Sequence, residues 1–265
     1  MPAADGLVLL ATPFGESVVV GRGIDPSVID EEDPLSCDPL LDMYDARNGF
    51  REPPESSRYS AEFVARFKAA QVARLLRLEA KARALIADQQ RYQAQMRDPG
   101  YAELSLDDRS YVKRRAVDTK PMIVYRTDAS LAFTDLSLSP SKRAVGTFLA
   151  LDTQMMNYVR QTIGQYKTPR AWLSASCELT SNSNLRKALP NITVPTVIVN
   201  FTADRGVYPA DGEEMLALSA AHDKQLHFFE ADHFALPVAG LDDPAPRDSV
   251  SKLLSGWLQQ RFPAR

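Results

Sequence analysis

Two stretches decide the fold: Val194-Pro195-Thr196-Val197-Ile198-Val199-Asn200-Phe201-Thr202-Ala203-Asp204, and then Gln225-Leu226-His227-Phe228-Phe229-Glu230-Ala231-Asp232-His233-Phe234. Each begins with an apolar run that does not alternate with polar residues. Runs of that kind suit strands covered by helices on both faces, as in a parallel sheet. Between them, residues 211–221 place Met215, Leu216 and Leu218 inward on a crossover helix. Residues 249–261 gather Val250, Leu253, Leu254, Trp257 and Leu258 on one face of a second helix. Near the N-terminus, Gly6-Leu7-Val8-Leu9-Leu10-Ala11 reads as a third buried strand, closed by Thr12-Pro13. Strands alternating with helices predict an α/β fold around a parallel sheet.

The chemistry collects at one edge of that sheet. Asp204 follows the strand over 196–201, and His233 follows the strand over 225–230, so both belong at the carboxyl ends of parallel strands, where α/β proteins place their sites. A histidine acting as general base needs a carboxylate partner, which fixes its tautomer and stabilises the imidazolium. Asp232 competes for that role but adjoins His233, and side chains of adjacent residues diverge. Asp211 suits a helix N-cap better than a catalytic acid. His222 and His227 read as surface and strand residues, and no metal site is expected from them.

The wording Val-Pro-Thr-Val-Ile-Val-Asn-Phe-Thr-Ala-Asp, followed by Glu-Ala-Asp-His-Phe, resembles the C-terminal third of the α/β-hydrolases. Asp204 matches the family's acid and His233 its histidine, in the family's order of acid before histidine. The segment from Ala4 to Pro13 resembles the strand that follows the nucleophile helix in that family, after which the family inserts its lid. The resemblance therefore implies a partial α/β-hydrolase-like parallel sheet from residues 1–20 and 171–265, with a large, mainly helical lid insertion over 21–170. It implies hydrolysis of an ester or similar acyl bond of a small molecule through a serine nucleophile, with no metal and no organic cofactor. No G-x-S-x-G pentapeptide occurs in the chain. Gly15-Glu16-Ser17 carries only its first half, Ser174 and Ser176 lack a glycine turn and read as part of a helix, and Cys177 reads as a buried, inert thiol. The nucleophile and oxyanion donors are thus expected to lie outside this sequence. The strand over 7–11 then lacks a neighbour on one side, which predicts self-association or a partner covering that edge.

The middle of the chain reads differently. Residues 25–45 are acidic and punctuated by Pro26, Pro34 and Pro39, a loop without calcium-site spacing. Ser60 is a good N-cap, with Glu62 in the first turn and Tyr59 and Val64 placed for a hydrophobic staple. Val64, Phe67, Leu75, Leu78, Ala82, Leu85, Tyr92 and Met96 then recur at three- and four-residue steps, with Gln71 and Gln89 filling the gaps. Asp98-Pro99-Gly100 ends this helix. It spans roughly 55 Å at 1.5 Å per residue, more than a compact core needs. The basic residues along it, Arg66, Lys68, Arg74, Arg77, Lys81 and Arg83, read as a solvated face rather than a nucleic-acid surface. A second helix starts at Ser105-Leu106-Asp107-Asp108 and stops before Pro121, and residues 122–127 read as a short strand.

A formal net charge of −3 over 265 residues argues against a general nucleic-acid binder. Two distant cysteines, Cys37 and Cys177, support neither a disulfide framework nor a zinc site. No apolar run reaches the ~18 residues a membrane span needs, and the N-terminus lacks the basic flank of a signal peptide, so a cytoplasmic address is expected. Two other readings stand beside the hydrolase: a catalytically dead binding or assembly module on a degenerate hydrolase fold, and a helical interaction protein using the amphipathic helix over 60–97.

Overall fold

The structure is a computed structural model that describes residues 4–147, 149–159 and 162–263. It is a mixed α/β chain with a three-stranded parallel sheet in the order β1 (Leu7–Leu10), β4 (Thr196–Phe201), β5 (Lys224–Phe229). Leu7 pairs with Thr196 and Leu10 with Val199, while Thr196 to Phe201 pair with Lys224 to Phe229. All three expected strands form, but the two outer ones are not buried on both faces as expected: as edge strands they leave Val8, Leu10 and Phe228 exposed. The central one, β4, is buried along its whole length, which explains its lack of alternation.

Helices cover both faces of β4. Val197, Val199 and Phe201 pack on Val250 and Trp257 of α8 (Pro246–Arg261). Ile198 and Leu9 pack on Met215 of α7 (Pro209–Leu218), together with Phe14 and Val18. Val18 belongs to α1 (Glu16–Gly23), a helix the sequence reading did not anticipate, and one that spans the expected boundary between residues 20 and 21. Asp211 is the third residue of α7 rather than its N-cap. Its Oδ2 accepts from the Tyr208 N–H at 3.0 Å, and the same carboxylate pairs bidentately with Arg22 of α1 at 2.8 and 3.2 Å.

The long helix α2 (Ala61–Arg97) begins at Ser60, whose hydroxyl accepts from the Phe63 N–H, and runs to the Asp98 cap. Its glutamines are not flaws in the apolar stripe. Gln71 Nε2 donates to the carbonyls of Arg22 and Ile24 at 3.0 and 2.9 Å, closing the C-terminal end of α1. Gln89 and Gln93 do the same for Ala116 and Val117 at the end of α3 (Leu106–Val117). The last carbonyls of a helix have no partner within it, so these amides satisfy groups that burial would otherwise leave costly. The distal part of α2 packs on α3 through a small cluster of Tyr92, Val112 and Ala116, joined by Tyr101 and Leu104.

One expectation for α2 is corrected. Arg74 does not lie on a solvated face: it is fully buried, bidentate to Glu31 at 2.8 and 2.9 Å, and it donates to the carbonyls of Asp25 and Tyr125. The acidic loop is also more ordered than its composition suggested. Asp25, Asp30, Asp33, Asp38, Asp42 and Asp45 each accept from the N–H two residues on, a run of Asx turns. Asp25 is buried against Arg126, with Nε to Oδ2 at 3.1 Å.

The rest of the middle carries little regular structure. The predicted strand over 122–127 shrinks to β2 (Met122–Ile123), antiparallel to β3 (Tyr166–Lys167). α4 (Thr153–Tyr158) is short, and α5 (Pro169–Ala171) runs into a widened helical turn over Trp172–Ser176 that delivers the chain back to the sheet. α6 (Leu185–Ala188) precedes β4.

Candidate functional site

Strand β4 ends at Phe201, and the chain turns sharply through Thr202 to Tyr208 before α7 begins. Asp204 sits in that turn, fully buried. Its Oδ1 accepts from the Gly206 N–H at 2.7 Å and the Val207 N–H at 3.0 Å, so the turn itself holds the carboxylate. Its other oxygen, Oδ2, lies 2.8 Å from Nδ1 of His233. His233 comes from the loop after β5, the neighbouring parallel strand, so register alone brings the two residues to the same edge of the sheet. The two residues singled out by sequence meet directly.

Asp232 does not compete for the histidine. Its Oδ1 accepts from the N–H groups of Phe234 and Leu236, each at 2.9 Å, and shapes the turn in which Ala235 adopts a positive φ. The His233 ring meets Phe234 edge-on at 5.2 Å and is partly buried. The hydrogen bond to Asp204 holds the imidazole pKa above its ordinary value, against the opposing effect of desolvation. With Nδ1–H donated to Asp204, the lone pair resides on Nε2, and the carboxylate stabilises the imidazolium formed when Nε2 takes a proton. This is the electrostatic requirement of a general base.

A segment of the middle region crosses the same edge. The Lys142 N–H donates to the Thr202 carbonyl at 2.9 Å, and its ammonium pairs with Glu230 at the end of β5. Gly146, at φ +140°, lies so close to Arg205 that a Cβ there would stand 2.8 Å from Nη1. Residues 142–146 thus pass over the ends of β4 and β5 beside the Asp204 turn.

The four nucleophile candidates in the chain are engaged elsewhere. Ser17 is buried on α1 and donates to the Ser183 carbonyl at 3.1 Å. The Ser174 hydroxyl donates to the Ala171 carbonyl, and that of Ser176 to Glu16. Cys177 is fully buried among Trp172, Leu78 and Ala82. His222 is exposed, and His227 lies within β5 with Nε2 3.2 Å from Gln225 Oε1. Among the described residues, no group of three His, Cys, Asp or Glu side chains could hold a metal ion. Among the described residues, no helix is long and apolar enough to cross a membrane.

Sequence reasoning missed Asp128, whose carboxyl is buried between the sheet edge and the middle region. No protein-family model matches the chain, and no curated protein matches it.

Proposed function

We propose that Asp204 and His233 form the acid and base of a serine-type hydrolase acting on an ester or similar acyl bond of a small molecule, with the serine contributed from outside residues 1–265. The observation that carries this reading is the bond from His233 Nδ1 to a fully buried Asp204 that is itself fixed by two backbone N–H groups. That arrangement fixes the imidazole in one tautomer, which a serine-activating base requires. The parallel order β1–β4–β5 and the segment 142–146 lying over the strand ends suit the hydrolase-like sheet and lid that the sequence resemblance implies. A fluorophosphonate probe applied to the protein as it occurs in cells tests the proposal. The label is expected on a serine outside this chain and should be lost in His233→Ala. Labelling of Ser17, Ser174 or Ser176 would misplace the nucleophile, and a folded protein that takes no label would favour the non-catalytic reading.

One observation supports that second reading, a binding or assembly module. The N–H groups of Leu7 and Ala11 bond across to β4, so by strand alternation those of Val8 and Leu10 point to the open side. Among the described residues no strand pairs there, and the Val8 and Leu10 side chains are 38% and 43% exposed. The Leu10 carbonyl accepts from the Thr12 hydroxyl at 3.2 Å, but no lysine, proline or bulge blocks the edge. Sedimentation at micromolar concentration is expected to show a dimer or larger species. A clean 29.4 kDa monomer with a cooperative melt would reject association through this strand.

A further inference from the structure

Tyr208 ends the turn that carries Asp204, and it also lines an open cleft of about 340 Å³. Helix α2 contributes Lys68 and Gln71 to this cleft, α1 contributes Arg22, and α7 contributes Asp211 and Glu214. Leu131, Ala132 and Leu138 give it apolar surface. Neither Asp204 nor His233 lines it.

The charges in the cleft do not cancel one another. Asp211 is held bidentately by Arg22 at 2.8 and 3.2 Å and accepts from the Tyr208 N–H. Glu214 is held in the same way by Arg186, at 2.6 and 3.1 Å. The Arg186 guanidinium keeps the Glu214 carboxyl below its ordinary pKa, so Glu214 stays ionised and engaged. Each carboxylate thus has its own arginine, and the Lys68 ammonium is the surplus charge. Lys68 is exposed, and among the described residues it makes no ion pair. The positions three and four residues away on α2 hold Val64, Ala65, Gln71 and Val72, so its own helix offers it no carboxylate. The residues outside the described set include no aspartate or glutamate.

A lysine on a convex surface is simply solvated. One that lines a concave cleft beside apolar side chains meets any ligand that enters, and a concave apolar site with few polar groups is how small molecules are held. A ligand filling this cleft must answer one positive charge and bury hydrocarbon against Leu131 and Leu138. A dianion fits poorly, because its second charge would face Asp211 and Glu214 with no cation to spare. From this geometry we infer that the cleft is a recognition site for a small monocarboxylate, whose charge pairs with Lys68 and whose hydrocarbon tail lies against Leu131, Leu138 and Tyr208. Ser139 also lines the cleft and brings a hydroxyl donor. The binding does not rest on the hydrolase reading.

The test is a titration of the full chain with n-hexanoate, followed by ligand-observed NMR, with hexanamide as the uncharged control of the same shape. Saturable binding of hexanoate is expected at low salt, with hexanamide weaker by about fivefold or more. Lys68→Met should bring hexanoate down to the level of hexanamide, and should melt with the parent because Lys68 is exposed. Raising the salt from about 20 to about 500 mM should weaken hexanoate and spare hexanamide, since screening acts on the charge alone. Leu138→Ala should weaken both ligands by about threefold, through lost apolar contact. Lys113→Met, on α3 and outside the cleft, should leave binding within about twofold. The inference is overturned by an absence of saturable binding, by equal affinity for hexanamide, or by affinity unchanged in Lys68→Met or in Leu138→Ala. A loss in Lys113→Met as large as that in Lys68→Met would overturn it too, as would displacement of hexanoate by an equal concentration of inorganic phosphate, which would reassign the cleft to a phosphate-bearing ligand. Serine labelling plays no part here, so this inference and the hydrolase reading fail separately.

Discussion

Residues 1–265 are expected to hydrolyse a simple aryl ester no faster than their His233→Ala variant. The proposed acid and base are in contact, yet a complete serine–histidine–acid set exceeds its disabled form by roughly 10⁶-fold because the members act as a unit. His233 can take a proton only from a nucleophile within its reach. The Ser17 hydroxyl is spent on the Ser183 carbonyl, that of Ser176 on Glu16, and the Cys177 thiol is shut within an apolar cluster. Recruiting any of them would mean breaking a buried contact and moving a helix. Turnover well above background that disappears in His233→Ala would show that one of these residues, or Ser174, had been recruited, and the reading of an external nucleophile would fail.

Replacing Arg74 by Met is expected to destabilise the chain by about 3–5 kcal/mol in urea unfolding, the usual cost of breaking a buried charged network from one side. Arg74 bridges three segments: its own helix, the acidic loop through Glu31 and the Asp25 carbonyl, and residue 125 through the Tyr125 carbonyl. Removing it leaves Glu31 only a 3.4 Å contact with Arg77 and strands both carbonyls in the interior. Arg77→Met provides the comparison. Its side chain is 47% exposed, so the loss is expected to stay near 1 kcal/mol or below. Equal effects from the two variants would mean that Arg74 is solvated after all.

Why Arg74 was misread is instructive, because the sequence did carry the signal. Counting from Phe67 in steps of four, three, four and four gives Gln71, Arg74, Leu78 and Ala82, all buried. Arg74 therefore sits on the apolar stripe, and periodicity should have outweighed residue type. The central strand was legible because burial on both faces writes itself as an unbroken apolar run, β1 and β5 carry similar runs although Val8, Leu10 and Phe228 stay exposed, and the Asp204–His233 contact followed from strand order. The Asx turns of the acidic loop were legible only in part: each aspartate bonds two residues onward, a local signal, but the burial of Asp25 depends on Arg126, which is distant in sequence. Asp128 could not be read at all.

The long helix α2 also divides the molecule energetically. Its proximal turns are tied into the interior by Gln71, Arg74 and Leu78, while its distal turns rest on α3 and the 99–104 connection, through one small cluster, two glutamine amides and the Asp88–Arg115 ion pair. Such an arm holds too little buried apolar surface to share the stability of the whole, and so forms a cooperative unit that opens at lower cost than global unfolding. The arm can therefore fray, refold or engage another surface while the sheet edge bearing Asp204 and His233 stays intact. A single unbroken helix carries both regimes, and the change from one to the other falls between Ala82 and Gln89.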